Sequence, residues 1–167
     1  DAERVIHIAD KYVHVFASVG LHPSEKVVDE PEESDYIALA QHAKVIAIGE
    51  TGLDYYYNTD GLDVQRERFR KQIRVGRTLH KPIIVHTRDA VTDTIEIMQS
   101  EKAEECLGVM HCFTESVAMA KQALDLGFYI SFSGIVTFKN ADNVKAVARY
   151  VPLDRILVET DAPYLTP

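Results

Sequence analysis

Six short apolar runs, rich in β-branched residues, constrain the fold of this chain more than any other feature of its sequence. Each run is almost continuously hydrophobic, which is typical of strands covered on both faces in a parallel sheet. We therefore predict six strands, at Val15–Val19, Val45–Ile48, Pro82–Val85, Gly108–Met110, Phe128–Phe132 and Arg155–Val158.

Stretches with helical spacing separate most of these runs. Apolar or small residues recur at steps of three and four at Phe69, Ile73, Gly76 and Leu79 or His80, at Val117, Ala120 and Leu124, and at Val144, Val147 and Ala148. Asn140 or Asp142 could cap the last helix, and Gly127 could end the helix before it. The alternation of strand and helix indicates one α/β domain over residues 1–167, with right-handed crossovers.

Polar residues at the ends of the runs favour a closed barrel over an open sheet. The glycine-rich phosphate loops of many open sheets, GxGxxG and GxxxxGK[ST], are missing. A polar side chain instead lies just past the carboxyl end of every run, at His22, Glu50, His86, His111, Ser133 and Asp161. A TIM-type barrel brings all such ends to one mouth, where its chemistry is done.

Four of these residues form a candidate metal site: Glu50, His86, His111 and Asp161. Two imidazoles and two carboxylates suit a divalent ion such as Mg, Mn, Zn, Fe, Co or Ni. Each residue also has a structural interpretation. A strand-end histidine is often part of the packing, Glu50 could bond backbone amides, and Asp161 could be a turn residue. The coincidence of four such residues with four strand ends favours the metal site.

The other histidines and the cysteines do not join this pattern. His7, His14, His42 and His80 lie in or beside helical stretches, where we expect surface or boundary positions. Cys112 follows His111, but without a second soft ligand it is expected to be a small buried side chain. Two cysteines give no disulfide framework, which favours the cytoplasm.

The charge and hydropathy of the chain exclude some classes of function. A formal net charge of −8 argues against a module that holds nucleic acid by charge alone. It argues less against a metalloenzyme, because a bound cation can contact phosphate directly. No apolar run is long enough to cross a membrane, no signal peptide is visible, and no obligate protein partner is expected.

At the same residues the sequence resembles the TatD-type metal-dependent deoxyribonucleases, a hydrolase family of the amidohydrolase-like barrel group. The matching segments run in the family's order along nearly the whole chain. They are Val19-Gly20-Leu21-His22-Pro23, Ala47-Ile48-Gly49-Glu50-Thr51-Gly52-Leu53-Asp54-Tyr55, Ile84-Val85-His86-Thr87-Arg88, His111-Cys112-Phe113-Thr114, Tyr129-Ile130-Ser131-Phe132-Ser133-Gly134 and Val158-Glu159-Thr160-Asp161-Ala162-Pro163-Tyr164.

The resemblance implies a (β/α)8-like barrel, one or two divalent metal ions, and hydrolysis of DNA. It implies that Glu50 lies between the metals and that His86 and His111 are strand-end ligands. Asp161 matches an aspartate that touches metal and can take a proton from the attacking water. His22 matches a site histidine that contacts substrate or metal.

The sequence also departs from the family's pattern. No histidine is followed two positions later by another, whereas the family begins with a His-x-His pair on an early strand. Six visible strands fall short of eight. We therefore expect an incomplete barrel, in which the first two strands and the closing helices are missing. One metal position would then lack two ligands, and the chain itself could be inactive.

These observations favour a hydrolase that cleaves the phosphodiester bonds of DNA through a metal-bound hydroxide steered by Asp161. Arg88 could hold a phosphate oxygen, or could instead pair with Asp89 or Glu50. Tyr55 and Tyr56 could stack on a base or pack at the rim.

Further alternatives remain. Asp54 could orient a ligand histidine from behind. A metal-dependent ester or amide hydrolase, including one that acts on acyl-tRNA-type substrates, fits the same residues. So does a non-catalytic binding module on a degenerate barrel.

Overall fold

All six predicted strands are present and form a single parallel sheet. The computed structural model describes residues 2–57 and 59–164. The strands are β1 (Ala17–Val19), β2 (Val45–Asp54), β3 (Ile83–Arg88), β4 (Gly108–Met110), β5 (Tyr129–Phe132) and β6 (Ile156–Val158). Six α-helices alternate with them: α1 (Ala2–Lys11), α2 (Glu33–Ala40), α3 (Leu62–Leu79), α4 (Val91–Ser100), α5 (Val117–Asp125) and α6 (Asp142–Tyr150). Short 3-10 helices lie at Ala103–Glu105, Gly134–Thr137 and Leu153–Arg155.

The strands are ordered in space as they are in the sequence, from β1 to β6. Every neighbouring pair is parallel. Successive strands added always on the same side are the winding of a TIM-type barrel, because an open doubly wound sheet reverses direction at a switch point. Within the described ranges β1 and β6 are the two edges, so the barrel is not closed.

Two strands are longer than the sequence predicted, and this corrects the placement of two site residues. β2 continues six residues beyond Ile48 and β3 continues to Arg88, so Glu50 and His86 lie inside strands and not past their ends. In the extended part of β2 the register shifts at Gly49 and Glu50, and pairing with β3 resumes from Thr51 to Asp54, with Gly52 opposite His86. A Cβ atom on Gly52 would lie 1.9 Å from the carbonyl oxygen of His86, so glycine allows this close approach.

The helices agree with the predicted periodicity, with one error at a helix start. Residues Phe69 and Ile73 of α3 are fully buried, and Gly127 has the left-handed φ of +82° expected of a helix stop. The predicted caps of α6 were wrong. Its N-cap is Ala141, which makes no side-chain cap bond, and Asp142 is already the first helical residue. A carboxylate in the first turn still favours the helix dipole.

The core lies between the sheet and the helices. Its largest fully buried side chains include Phe69, Phe128, Ile48, Leu53, Ile73, Ile83, Met98, Met110, Met119 and Ile130. This core fixes the strand backbones from which the polar side chains of the mouth project. No helix in the described part of the chain is long and apolar enough to span a bilayer.

Candidate metal centre and active site

Polar side chains from different strands converge at the carboxyl end of the sheet. One ligand atom each from His22, Glu50 and His86 all lie within 4.8 Å of one another. The Oε1 atom of Glu50 is 3.3 Å from Nδ1 of His86 and 3.2 Å from Nδ1 of His111. The structure thus places one carboxylate between two imidazoles, with a third imidazole beside them.

Asp161 flanks this cluster. It lies three residues beyond β6, and its charge contributes to raising the pKa of His111. It is not part of the group that lies within 4.8 Å. Of the four predicted ligands, Glu50, His86 and His111 are in direct contact. Asp161, like His111, lies outside the group of His22, Glu50 and His86 and acts on the cluster through its charge.

Asp54 contacts His86 on the side of its ring that faces away from Glu50. Its side chain is buried, and its Oδ2 atom lies 2.9 Å from Nε2 of His86. Its Oδ1 atom accepts the backbone N–H groups of Tyr56 and Tyr57 at 3.0 and 2.9 Å. In the metal-free protein Nδ1 of His86 can donate to Glu50. When a cation takes the Nδ1 lone pair, Asp54 still accepts the proton on Nε2 and holds the ring in the orientation that a metal ligand needs.

Glu159 is a site residue that the sequence interpretation missed. Its Oε2 atom lies 3.1 Å from Nε2 of His111, so His111, like His86, lies between Glu50 and a second carboxylate. Neither carboxylate oxygen has a hydrogen-bond partner of suitable geometry among the described residues, although both are buried. Glu159 is the first residue after β6, so the strand-end rule applied strictly would have selected it before Asp161.

The charges in the cluster are strongly coupled. Burial tends to raise the pKa of Glu50, but hydrogen bonds with His111 and His86 outweigh burial and hold it well below its usual range. Burial tends to lower the pKa of His86, but the carboxylates of Glu50 and Asp54 raise it overall. The hydrogen bond with Glu50 raises the pKa of His111 against the effect of burial.

His22 behaves differently from the other two imidazoles. Burial, and then the neighbouring His86, lower its pKa, so His22 is neutral near pH 7. Its Nδ1 atom lies 2.6 Å from the Ser24 hydroxyl and accepts the Ser24 backbone N–H at 3.2 Å. An amide N–H can only donate. This contact favours the tautomer in which Nε2 of His22 carries the proton and can donate it to a ligand.

This donor set fits a divalent cation. Imidazole nitrogens and carboxylate oxygens are the ligands that first-row metals and Mg share. The two buried oxygens of Glu159, which lack donors among the described residues, add acceptors that a cation would satisfy. The cluster would hold a cation through Glu50, His86 and His111, with Asp161 and Glu159 nearby.

The three residues predicted to bind substrate lie at or beside the mouth. His22 belongs to the cluster itself. Arg88 ends β3, and its guanidinium carbon lies 3.9 Å from the ring centre of Tyr56; no ion pair with Asp89 or Glu50 is present. The Tyr55 hydroxyl donates to Asp93 at 2.5 Å and accepts from Arg66 at 2.9 Å, so its polar end is already engaged.

A stripe of polar side chains on α3 fastens the segments that carry the site. Gln65, Arg68 and Gln72 are buried, at successive spacings of three and four residues along the helix. Gln65 binds both backbone groups of Asp54, at 2.9 and 3.1 Å. Gln72 binds both backbone groups of Leu21, at 3.0 and 3.1 Å.

Arg68 completes this polar stripe. It donates to the carbonyl oxygens of His22 and Glu25 at 3.0 Å each, and it pairs with Glu30. The three side chains therefore hold the segment of His22 and the end of β2 in one frame.

The remaining predictions concern peripheral residues. His7, His14 and His80 are exposed, and His42 lies at a boundary 3.4 Å from Asp10, as predicted. Cys112 is half-buried rather than buried, with its sulfur 3.2 Å from the Ser133 hydroxyl. Burial raises the pKa of the Cys112 thiol, which agrees with an unreactive side chain.

Comparisons with known proteins agree on one family. A sequence model described as TatD related DNase matches residues 1–167. The metal-dependent hydrolase YcfH of Escherichia coli strain K12 is 54% identical over 154 residues, which are 92% of this chain and 58% of that protein. The 3'-5' ssDNA/RNA exonuclease TatD of Salmonella typhimurium is 31% identical, over all of this chain and 65% of that protein.

Solved structures give the same result for the fold. The crystal structure of YJJV, a TatD homolog from Escherichia coli K12, superposes with a TM-score of 0.83 at 28% identity, covering 96% of this chain and 63% of that one. This likeness confirms the predicted barrel class. The chain spans about three fifths of the length of the relatives it matches.

Proposed function

The chain belongs to the family of TatD-related DNases, and from this premise we propose that it is a divalent-metal-dependent hydrolase that cleaves the phosphodiester bonds of DNA. The observation that carries the proposal is the position of Glu50, whose Oε1 atom contacts the Nδ1 atoms of His86 and His111 at 3.3 and 3.2 Å. Relatives that are named metal-dependent hydrolases support the metal cofactor predicted from the sequence.

We assign the metal ligands to Glu50, His86, His111 and Asp161. A divalent cation in such a site lowers the pKa of a coordinated water towards neutrality and polarises a phosphoryl oxygen. Asp54 would accept the proton on Nε2 of His86 while Nδ1 binds the cation. We assign to Asp161, whose charge acts on His111, the role of accepting the proton that the attacking water loses.

Two further residues would bind phosphate groups of the substrate strand. His22 presents Nε2–H towards the cluster, because its Nδ1 atom is occupied by Ser24. Arg88 offers a guanidinium group that no described carboxylate neutralises, and its forked donors match the oxygens of a phosphodiester. Tyr55 is assigned to the same rim, where its ring is half-buried. The cationic Arg88 favours a phosphodiester over a neutral ester.

Digestion of labelled single-stranded DNA with added Mg or Mn, compared with a panel of small esters, tests this function. We expect cleavage of DNA that is abolished by EDTA. Glu50→Gln should reduce the rate of DNA cleavage by more than roughly 10- to 100-fold, which is the loss expected when a residue that only supports a metal ligand is changed. The matched control is Glu96→Gln, which makes the same change at an exposed position of α4. Hydrolysis of esters alone, or full DNA cleavage by Glu50→Gln, would overturn the proposal.

A further inference from the structure

Two adjacent tyrosines project from the turn that follows β2. Tyr56 and Tyr57 are 56% and 67% exposed. Their rings meet edge to face, with centroids 5.0 Å apart. Large aromatic surfaces left in water at the mouth of a barrel are a cost to the free protein, and they are common where a ligand stacks.

The same rings hold an arginine that lacks a carboxylate partner. The guanidinium carbon of Arg88 lies 3.9 Å from the Tyr56 centroid and 4.7 Å from the Tyr57 centroid. No ion pair links Arg88 to a carboxylate within residues 2–57 and 59–164, although all five arginines of α3 have one: Arg66, Arg68, Arg70, Arg74 and Arg77. In a chain of net charge −8, an arginine left without an acid is available to an anionic ligand.

These three residues are joined rigidly to the candidate metal centre. Asp54 accepts the backbone N–H groups of both tyrosines through Oδ1 and contacts His86 through Oδ2. Arg88 lies two residues after His86 on β3, and its Cα atom is paired with that of Asp54 across the sheet. One buried carboxylate therefore sets the position of the tyrosines relative to the site.

We propose that Tyr56, Tyr57 and Arg88 form a nucleotide subsite, in which an unpaired base stacks on the tyrosine rings and Arg88 binds the adjoining phosphate. This subsite rests on the proposed function, because it would hold the strand beside the phosphodiester that is cleaved. Stacking on a tyrosine requires a free base face, and the bases inside a duplex have none. The subsite therefore selects a strand whose bases are unpaired at the mouth.

Binding measurements separate the contribution of the base from that of the phosphate. The probes are a labelled single-stranded oligonucleotide and an abasic strand with the same number of phosphates, titrated with the protein in EDTA and followed by fluorescence anisotropy. We expect Tyr56→Ala with Tyr57→Ala to weaken binding of the base-bearing strand roughly 5- to 150-fold, which is the range for one stacked base. Binding of the abasic strand should not change.

Three further variants complete the test. Tyr56→Phe with Tyr57→Phe should recover the binding that alanine loses, because the rings and not the hydroxyls stack. Tyr12→Ala removes a tyrosine that is 60% exposed before the amino end of β1, away from the mouth, and should bind both strands as the unaltered protein does. Arg88→Gln should weaken binding of both strands. It should also reduce the slope of log K against the logarithm of the salt concentration by about 0.7, the value for one phosphate contact with a single strand.

The outcomes distinguish this inference from the proposed function. Equal losses on the two strands in the alanine variant, or no loss on either, would overturn the subsite. So would an unaltered protein that binds neither strand. If the unaltered protein cleaves no phosphodiester but its base-dependent binding is lost in the alanine variant, the nuclease proposal fails and the subsite stands.

Discussion

Asp54 lies 2.9 Å from Nε2 of His86, at the edge of the ring opposite the atom that faces Glu50. In the metal-free protein both ring nitrogens face a carboxylate and both can carry a proton. When a cation takes the Nδ1 lone pair, Asp54 still accepts the proton on Nε2, because a buried carboxylate accepts a hydrogen bond and cannot donate one. Orientation of the imidazole is therefore determined by a residue that touches neither metal nor substrate.

We predict that Asp54→Asn lowers the affinity for Mn by about 10- to 100-fold, the range for the outer partner of a ligand histidine. The amide oxygen can still accept the two turn N–H groups, but the NH2 group then faces His86 Nε2 and favours the proton on Nδ1. Isothermal titration with Mn measures the affinity. Asp60→Asn, an exposed change of the same charge, is the control. Unchanged affinity in Asp54→Asn would contradict the orientation role.

The sequence predicted the strands well because each contains a run of apolar residues. The sheet buries most of them in β1 to β5, whereas Leu157 and Val158 of the edge strand β6 are exposed. It ended β2 and β3 too early because the pairing continues through polar residues such as Asp54 and His86, whose side chains serve the site. A run of apolar residues predicts which part of a strand packs against the core. It does not predict that the backbone pairing continues where the side chains are polar and line the mouth.

The site was predicted in part for the same reason. Strand ends indicated Glu50, His86, His111 and His22, which the structure brings together. The polar stripe of Gln65, Arg68 and Gln72 could not be recognised, because polar residues at helical spacing usually form the face of a helix that is exposed to solvent. Their burial depends on which backbone groups lie opposite, and that information exists only in the folded chain.

Gln65 offers a test of this polar stripe. It binds both backbone groups of Asp54, and both side chains are buried. Gln65→Met keeps the approximate volume but leaves a buried N–H and a buried C=O unpaired, which costs roughly 1–3 kcal/mol each. We expect the free energy of unfolding in urea to fall by about 2 to 6 kcal/mol, together with weaker Mn binding.

The matched control for this change is Gln122→Met, at an exposed position of α5. It should leave the free energy of unfolding within about 0.5 kcal/mol of the unaltered protein. A Gln65→Met protein as stable as this control, with unaltered metal affinity, would refute the idea that α3 holds the end of β2 in place.

The pKa shifts of the cluster predict how pH affects the metal-free protein. The pKa values of His86 and His111 are raised above 6.5, so these residues stabilise the fold at acidic pH, and their contribution is lost as pH rises through the raised values. The pKa of Glu50 is lowered, so its contribution is present above about pH 4.5 and is lost on acidification. His22, with a lowered pKa, opposes folding below pH 6.5.

Metal binding should oppose the loss of stability that the metal-free protein shows as pH rises. A cation requires unprotonated imidazoles, so its affinity rises as pH passes upward through the raised pKa values of His86 and His111. Thermal unfolding measured in EDTA and in excess Mn across pH 6 to 9 should show Tm falling with pH in EDTA and an increasing gain from Mn. Glu50→Gln should make Tm less dependent on pH both in EDTA and in excess Mn, because it removes the carboxylate that contacts both histidines. Parallel curves with and without Mn would count against metal binding at these histidines.

Glu159 gives the last prediction, because its buried oxygens have no hydrogen-bond partner of suitable geometry in the part of the chain described. Their charge is offset only in part by the His111 imidazole, 3.1 Å away, and a cation beside them would offset it further. Glu159→Gln should therefore reduce Mn affinity by about tenfold or more, while the free energy of unfolding in EDTA changes by no more than about 1 kcal/mol. Glu104→Gln makes the same substitution at an exposed site and should alter neither quantity. If Glu159→Gln binds Mn as tightly as the unaltered protein, the Glu159 carboxylate orients His111 but does not contribute to binding of the cation.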